Sequence, residues 1–389
     1  MKAALSFHPI AGDYDFIGEF REGRALVRNN IAEFRVGYID KEGRVAVPLE
    51  YIGRFEREAG HPVFVHFPFF SDGLAVLMRK DGRFGAVDPS GGMAVPFIYD
   101  SLTYFYGGLV EAQKDGKWGF LDKEGHAAIP LLYDRVGTFS EGLAAAEKNG
   151  KWGFLDPEGH IVLPFEYDST VGEGFSDGLV PVRQNGREGY MDKTRRMAIL
   201  LDPGYAAVCG FHSGFALVAA DPASSRKAGN GAAANPARKP PLYGAIDRAG
   251  RIVVPAEYAS VRILDGGFVT TGLDGRKRFL DPDGRTVLAA DFEEMGDFSE
   301  GLAAIKRDGA YGYADKTGQV VIPCAYSAAG GFHEGYAAVR KDGRYGYIDR
   351  TGATVVPFIY DTAARFCDGA AAVRKDGGWG IWQIETRGG

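Results

Sequence analysis

Cysteine is nearly absent from this sequence. Cys209, Cys324 and Cys367 are scattered through 389 residues. An odd, dispersed set builds no disulfide framework and no CxxC metal pair. It fits a reducing compartment, so a cytoplasmic location is expected. Long apolar runs are missing as well. No window approaches the ~18 uninterrupted apolar residues of a transmembrane helix. The apolar stretch at the N-terminus is broken by His8 and Pro9, too early for a signal-peptide core. An excess of basic charge is also lacking. The formal net charge of −6 argues against a generic nucleic-acid or anionic-membrane surface. Catalytic signatures are scarce too: there is no Walker loop or HExxH. What the chain has in abundance is glycine. Its 56 glycines are about twice the usual 7%. They follow no collagen period, so they serve turns or close backbone contacts.

The glycines report an internal repeat. Lys114-Asp-Gly-Lys-Trp-Gly-Phe-Leu-Asp122 recurs 34 residues later as Lys148-Asn-Gly-Lys-Trp-Gly-Phe-Leu-Asp156. The glycine after the aromatic marks each copy: Gly37, Gly85, Gly119, Gly153, Gly189, Gly244, Gly312, Gly346 and Gly380, with Arg278 in the remaining slot. The steps between these positions are 48, 34, 34, 36, 55, 34, 34, 34 and 34 residues. Extra residues therefore enter the first, fourth and fifth intervals. Upstream of the marker stands Phe-x-(Glu/Asp)-Gly, as in Phe139–Gly142, Phe175–Gly178, Phe298–Gly301 and Phe366–Gly369. Downstream stand an Asp-x-x-Gly turn, a short apolar run, a proline and a tyrosine, as in Asp156, Gly159, Pro164 and Tyr167.

This pattern resembles the WG (KWG) repeat family over roughly Phe20 to Trp382. The resemblance implies a mostly bacterial tandem-repeat protein and supplies no catalytic residue. The seventh copy departs most, with Lys277-Arg278 in place of the aromatic-glycine pair. The fifth has Glu188 for the aromatic and lacks the proline at its usual place.

Each copy reads as short strands without helix. Gly301–Lys306 is one strand, and Asp308-Gly309 is a hairpin turn of the φ > 0 type. Tyr311–Asp315 is the return strand, in which Tyr311 and Tyr313 share a face. Gly312 points the other way, where its missing side chain implies a very close neighbour. A third strand, Val320–Ile322, ends at Pro323. The repeated aromatics, including Trp118, Phe120, Trp152, Phe154, Tyr345 and Tyr347, are expected to be buried in packing columns.

The aspartate column at positions 40, 88, 122, 156, 192, 247, 281, 315 and 349 could be a calcium ladder. Its place before a turn glycine favours backbone-bonding turn residues. His126 and His160 share a column expected to face solvent. His212 and His333 share another, beside Phe211 and Phe332. His61 and His66 form the only close pair, with no evident third ligand. The insertions are better candidates. Residues 52–69 form a strongly apolar loop with Phe55, Phe64, Val65, Phe67 and Phe69, which would cap the array or bind a partner. Residues 221–241 lack large apolar anchors and are expected to be a disordered loop. Arg226, Lys227, Arg238 and Lys239 give that loop a positive charge, available to an acidic partner.

Together these features predict an all-β fold. Residues 1–389 form a single cooperative WG-repeat array of about ten units, built as tandem β-hairpin or three-strand repeats. An open, twisted β-solenoid-like array is preferred, and a closed propeller-like ring of about ten units is the alternative. The chain ends within its tenth copy, at Trp379–Ile384, and Leu5–Pro9 resembles the missing third strand. The expected function is a non-catalytic scaffold for a protein or peptide partner, probing with Phe64, His66, Phe67, Phe69, Arg226, Lys227, Arg238 and Lys239. A glycan or cell-envelope binding module is the alternative. An enzyme with a loop-built site ranks below both. No cofactor, metal, nucleic acid or transmembrane segment is expected, and the chain is expected to be monomeric.

Overall fold

The computed structural model describes residues 4–29, 35–52, 55–58, 61–64, 69–170, 174–220, 240–275, 277–289 and 292–385. The described residues are all β, arranged as repeated antiparallel four-stranded sheets, and no sheet closes into a barrel. This agrees with the fold class read from the sequence.

One repeat shows how the sequence builds the sheet. Ala144–Lys148 pairs with Lys151–Leu155, with Ala146 opposite Gly153 and Glu147 opposite Trp152. Asn149 and Gly150 join them with φ of 54° and 75°. Both central residues are left-handed, as a tight hairpin that follows the strand twist requires. Ile161–Tyr167 then pairs with Lys151–Leu155, with register shifts between Trp152 and Phe154, across Gly153, and between Phe154 and Leu155. At that irregularity the carbonyl of Leu163 lies over the glycine. A Cβ on Gly153 would come within 2.7 Å of it. The same approach recurs at Gly119 against Ile129 and at Gly312 against Ile322, each at 2.5 Å. The glycine beside the aromatic is therefore a steric requirement.

The typical repeat sheet has four strands, not the expected three. The added strand is a two-residue segment just after the tyrosine, such as Arg135–Val136, which pairs with Glu147 and Ala146. It is too short to leave a periodic trace in the sequence. It is held in register by Asp134, whose backbone N–H donates to Glu147 and whose carboxylate accepts the N–H of Asn149 at 2.8 Å. Asp100 and Asp361 accept the turn N–H of Asp115 and Asp376 in the same way, at 2.7 and 2.8 Å. The aspartate after the tyrosine thus ties each hairpin turn to the start of its own sheet.

Repeats are joined through aromatic pairs. The second aromatic of the return strand meets the phenylalanine of the next Phe-x-x-Gly turn edge to face. Phe154 meets Phe175 at 5.2 Å, Tyr190 meets Phe211 at 4.8 Å, and Tyr347 meets Phe366 at 5.0 Å between centroids. These rings are at most 1% exposed. The first aromatic of the strand behaves differently: Trp118, Trp152, Tyr311 and Tyr345 are only half-buried. The expectation of full burial at both positions is corrected here. Position 1 lies at the hairpin end of the strand, close to solvent, while position 3 faces the next repeat.

The chain divides into two compact bodies. The first comprises Met1–Leu131, Ala310–Gly312 and Val321–Gly389, and the second Leu132–Gly309 and Tyr313–Val320. In the first body, two repeats merge into an eight-stranded sheet through the pairing of Ile52 with Met78. The first interval also contains a two-stranded hairpin, Phe55–Glu58 with His61–Phe64, where a loop was expected. Also in this body, Leu5–Pro9 pairs with Gly378–Ile384, placing Leu5 opposite Ile384 and Pro9 opposite Gly380. The N-terminal strand supplies the piece that the tenth copy lacks. Tyr14, Ile17 and Phe20 share a core with Ala370, Ala372 and Ile381. The Trp379 indole N–H donates to the Tyr14 carbonyl at 2.8 Å. In the second body, separate cores form around Phe154 and Phe175, around Tyr190 and Phe211, and around Phe268.

Candidate functional site

Two columns of carboxylates run through the repeats, and both are occupied by backbone. In the Asp-x-x-Gly turns, one oxygen of Asp192 accepts the N–H groups of Thr194 and Arg196 at 2.9 and 3.0 Å. Asp40, Asp88, Asp122, Asp247, Asp281, Asp315 and Asp349 each accept the corresponding pair. Asp156 accepts the N–H of His160. Where serine or threonine follows by two, its hydroxyl adds a bond. The Thr194 hydroxyl and the neighbouring N–H groups hold Asp192 down to about 2. Hydrogen bonds that favour the charged form act in this direction. The turn reading of this column is the one the geometry supports.

The second column, in the Phe-x-(Glu/Asp)-Gly turns, was not singled out in the sequence. Its acids brace neighbouring repeats. Glu141 accepts the N–H of Gly178 at 3.1 Å, Asp177 that of Gly214 at 2.7 Å, and Glu22 that of Gly73 at 2.8 Å. Asp72 with Gly108 and Glu334 with Gly369 repeat the contact. The only signal for it in the sequence was recurrence of the acid itself.

Two of the histidines are peripheral. The side chains of His126 and His160 are 80% and 77% exposed, and each leans on the aspartate of its own turn. Asp156, Glu158 and His160 bring three ligand atoms within 4.8 Å of one another. They are a surface cluster whose aspartate is already committed to its turn. Burial pushes the Cys209 and Cys367 thiols above their usual range. Both therefore stay protonated near neutrality, unlike a nucleophilic cysteine.

The feature that repetition does not explain is a cavity of about 440 Å³ in the first body. Its walls come from the strands Phe16–Arg21 and Arg24–Arg28, from Tyr38, Phe69, Ala364 and Arg365. Three arginines, Arg21, Arg24 and Arg365, face one acid, Glu19. The guanidinium of Arg21 lies 4.4 Å over the ring of Phe69. Phe69 in turn lies 5.9 Å from the exposed Tyr104. Arg365 donates to Glu19 at 2.6 Å, and Arg21 approaches the same carboxylate at 4.0 Å. The Arg365 Nε is buried and has no hydrogen-bond partner among the described residues. Arg24 reaches the Pro89 carbonyl at 3.1 Å. A depression in the second body carries Arg251 and Arg285, but each is paired with an acid of its own turn, Asp247 and Asp283.

Of the residues expected to bind a partner, Phe69 is in the wall of this cavity. The backbone of Phe64 ends the inserted hairpin. His66, Phe67, Arg226, Lys227, Arg238 and Lys239 lie outside the described residues. Arg21, Arg24 and Arg365 were missed in the sequence, because Arg365 meets Glu19 across 346 positions.

Comparison with known families decides what the repeat is. The model of the WG containing repeat matches residues 10–30, 84–118, 118–152, 152–187, 243–275, 278–309, 311–345 and 345–379. The chain belongs to the WG-repeat family. The family is one of structural repeats and not of enzymes, and the cavity of the first body is built on its repeats. No curated protein matches the chain. Among solved structures, BamB from Moraxella catarrhalis is similar at 13% identity, covering 100% of both chains with a TM-score of 0.36. The computationally designed Ika8 protein is similar at 14% identity over 81% of this chain and 94% of its own, with a TM-score of 0.35. KlAtg21, solved in complex with the coiled coil of AgAtg16, is similar at 11% identity over 73% and 94%, with a TM-score of 0.32. Likenesses this distant do not bear on what the WG-repeat chain does. Among the described residues, no helix is long and apolar enough to cross a membrane.

Proposed function

We propose that the chain is a non-catalytic repeat scaffold that binds a protein or peptide partner at the arginine- and phenylalanine-lined face of its first body. The observation that carries this reading is the cavity beneath Phe69, where three arginines outnumber one acid in a chain that is acidic as a whole. Pockets that combine aromatic walls with a few charged groups are the usual form of recognition sites. Aromatic side chains and arginine are also the residues that dominate binding energies at interfaces. Phe64, His66 and Phe67 belong to the same insertion as Phe69 and would extend the contact. Arg226, Lys227, Arg238 and Lys239 would form a separate basic tether for an acidic partner. The chain would act as one monomeric array in the cytoplasm.

A glycan-binding module would need the repeated aromatics exposed. Phe120, Phe154, Tyr313 and Tyr347 are buried and Trp118, Trp152, Tyr311 and Tyr345 are half-buried, so none of these offers the open ring face a sugar stacks on, which favours the protein partner. The test is capture from a cell extract followed by binding of the purified captured protein, using the full chain, Phe69→Ala, Arg21→Ala and a variant lacking residues 222–240. The proposal expects each substitution to weaken binding about tenfold or more. Binding unaffected by either substitution would refute it.

A further inference from the structure

We infer that the cavity recognises a carboxylate side chain on an acidic, aromatic-containing peptide segment, and that Glu19 holds the place of that carboxylate in the free protein. The inference rests on reading this cavity as the partner site and names the chemistry of what enters it.

The first ground is charge. Arg21, Arg24 and Arg365 line the cavity with only Glu19 to balance them. Two of these arginines converge on the one carboxylate: Arg365 at 2.6 Å and Arg21 at 4.0 Å. A site that already seats a carboxylate between two guanidinium groups has the geometry for another. Guanidinium forks match the planar carboxylate and bind it with charge-assisted hydrogen bonds. The second ground is the orphaned Nε of Arg365, buried without a partner. Glu19 takes the Arg365 Nη2 and Nη1 lies 3.5 Å from the His333 Nε2, which leaves the Nε unused, so a second acceptor would satisfy a group that is costly to leave unpaired. The third ground is the apolar wall. Phe16, Leu26, Tyr38 and Phe69 line the same cavity, and Tyr104 continues the surface beyond Phe69. A free anion would use none of that wall. A peptide presenting an aromatic ring beside its carboxylate would use both parts.

Glu19 therefore acts as an internal competitor. An incoming carboxylate takes over Arg365 and Arg21, and Glu19 turns to solvent. The side chain is only partly buried, which leaves it room to leave. Removing its charge should raise affinity, whereas removing either arginine should lower it. A merely structural ion pair predicts the same sign for both partners.

Fluorescence polarisation with the full-length chain tests this, using a labelled, end-blocked peptide of alternating glutamate and phenylalanine. The matched probe replaces glutamate by glutamine. The expected result is saturable binding of the glutamate peptide only, weakened about tenfold by Arg21→Gln or Arg365→Gln, as loss of one charge-assisted contact implies. Glu19→Gln should tighten binding several-fold. Glu19→Asp, which keeps the charge but shortens the reach to Arg365, should tighten it less. This second variant serves if Glu19→Gln lowers the melting temperature. Equal binding of the two probes, indifference to both arginine variants, or weaker binding on removing Glu19 would overturn the inference. If the captured partner still depends on Phe69 and Arg21 while the glutamate peptide fails to bind, the inference fails and the partner reading stands. If partner binding also ignores the cavity variants, both fail.

Discussion

The ring of Phe154 meets the ring of Phe175 edge to face, with centroids 5.2 Å apart and planes inclined by 67°. The two residues are 21 positions apart and belong to successive repeats. Each ring is completely buried, and both sit in one core with Leu163 and Tyr167. Each repeat thus buries an aromatic that it cannot cover by itself. That is why stability in such arrays is shared between neighbours. Phe154→Ala is expected to cost about 3–5 kcal/mol, the usual range for emptying a phenylalanine site in a packed core. Trp152→Ala should cost clearly less, because Trp152 is only half-buried. Urea denaturation of the two variants checks the order, and equal losses would refute the assignment of position 3 as the inter-repeat lock.

The two glycines of one hairpin make a second contrast. Gly153→Ala places a Cβ against the Leu163 carbonyl at 2.7 Å. Backbone must shift to admit it, with a cost of about 1–3 kcal/mol typical of overpacking. At Gly150 the space is open, but φ is 75°. There alanine meets only the left-handed strain of about 1–2 kcal/mol. The expected difference is one of kind. Serine at position 153 should be at least as damaging as alanine, while asparagine at position 150 should be tolerated, as Asn149 is beside it. Thermal melts of the four variants measure this.

Removing residues 4–9 should expose the edge of the last sheet. Those residues pair along Gly380 to Ile384. The expected outcome is faster hydrogen exchange of amides in Trp379–Ile384, with the cores around Phe154 and Phe175 unchanged. Uniform loss of protection across the chain would show that the terminal strand supports far more than its own sheet.

Acid should loosen the turns. The Thr194 hydroxyl and the turn N–H groups hold the folded Asp192 carboxyl down to about 2, below the ordinary aspartate range. A depressed carboxylate contributes stability that is present above its unfolded pKa and lost as pH falls through the folded value. The window for Asp192 therefore runs from about pH 4 down to about 2. Asp88 and Asp315 are lowered in the same direction, by the hydroxyls of Ser90 and Thr317 and by turn N–H groups. Thr194→Val should raise the Asp192 pKa, as read by NMR titration of its carboxyl carbon. An unchanged value would mean the hydroxyl does not hold the carboxylate.

Much of this fold was legible because repetition multiplies weak signals. One Trp-Gly pair says nothing, but the recurrence of Gly119, Gly153, Gly312 and Gly346 predicted a close approach that the Ile129, Leu163, Ile322 and Val356 carbonyls provide. The turn aspartates were legible for the same reason. The fourth strand was not, since Ser169–Thr170 is too short for alternation to register. The split between half-buried Trp152 and buried Phe154 was also hidden, because both share one face of the strand and differ only in distance from the hairpin end. The cavity was legible only at Phe69. Its arginines gather from both ends of the chain, and no local pattern announces that Glu19 and Arg365 meet.

The central claim is that packing residues and recognition residues are different sets in this molecule. The most direct measurement determines partner affinity and melting temperature together for Arg21→Ala, Phe69→Ala, Phe154→Ala and Trp152→Ala. The account predicts that the first two lose about tenfold or more in affinity, as interface anchors do, with little change in melting. It predicts that Phe154→Ala melts early yet binds normally while folded, and that Trp152→Ala binds like the parent. Loss of binding in Trp152→Ala, with Arg21→Ala and Phe69→Ala unaffected, would contradict it and move recognition onto the repeated aromatics.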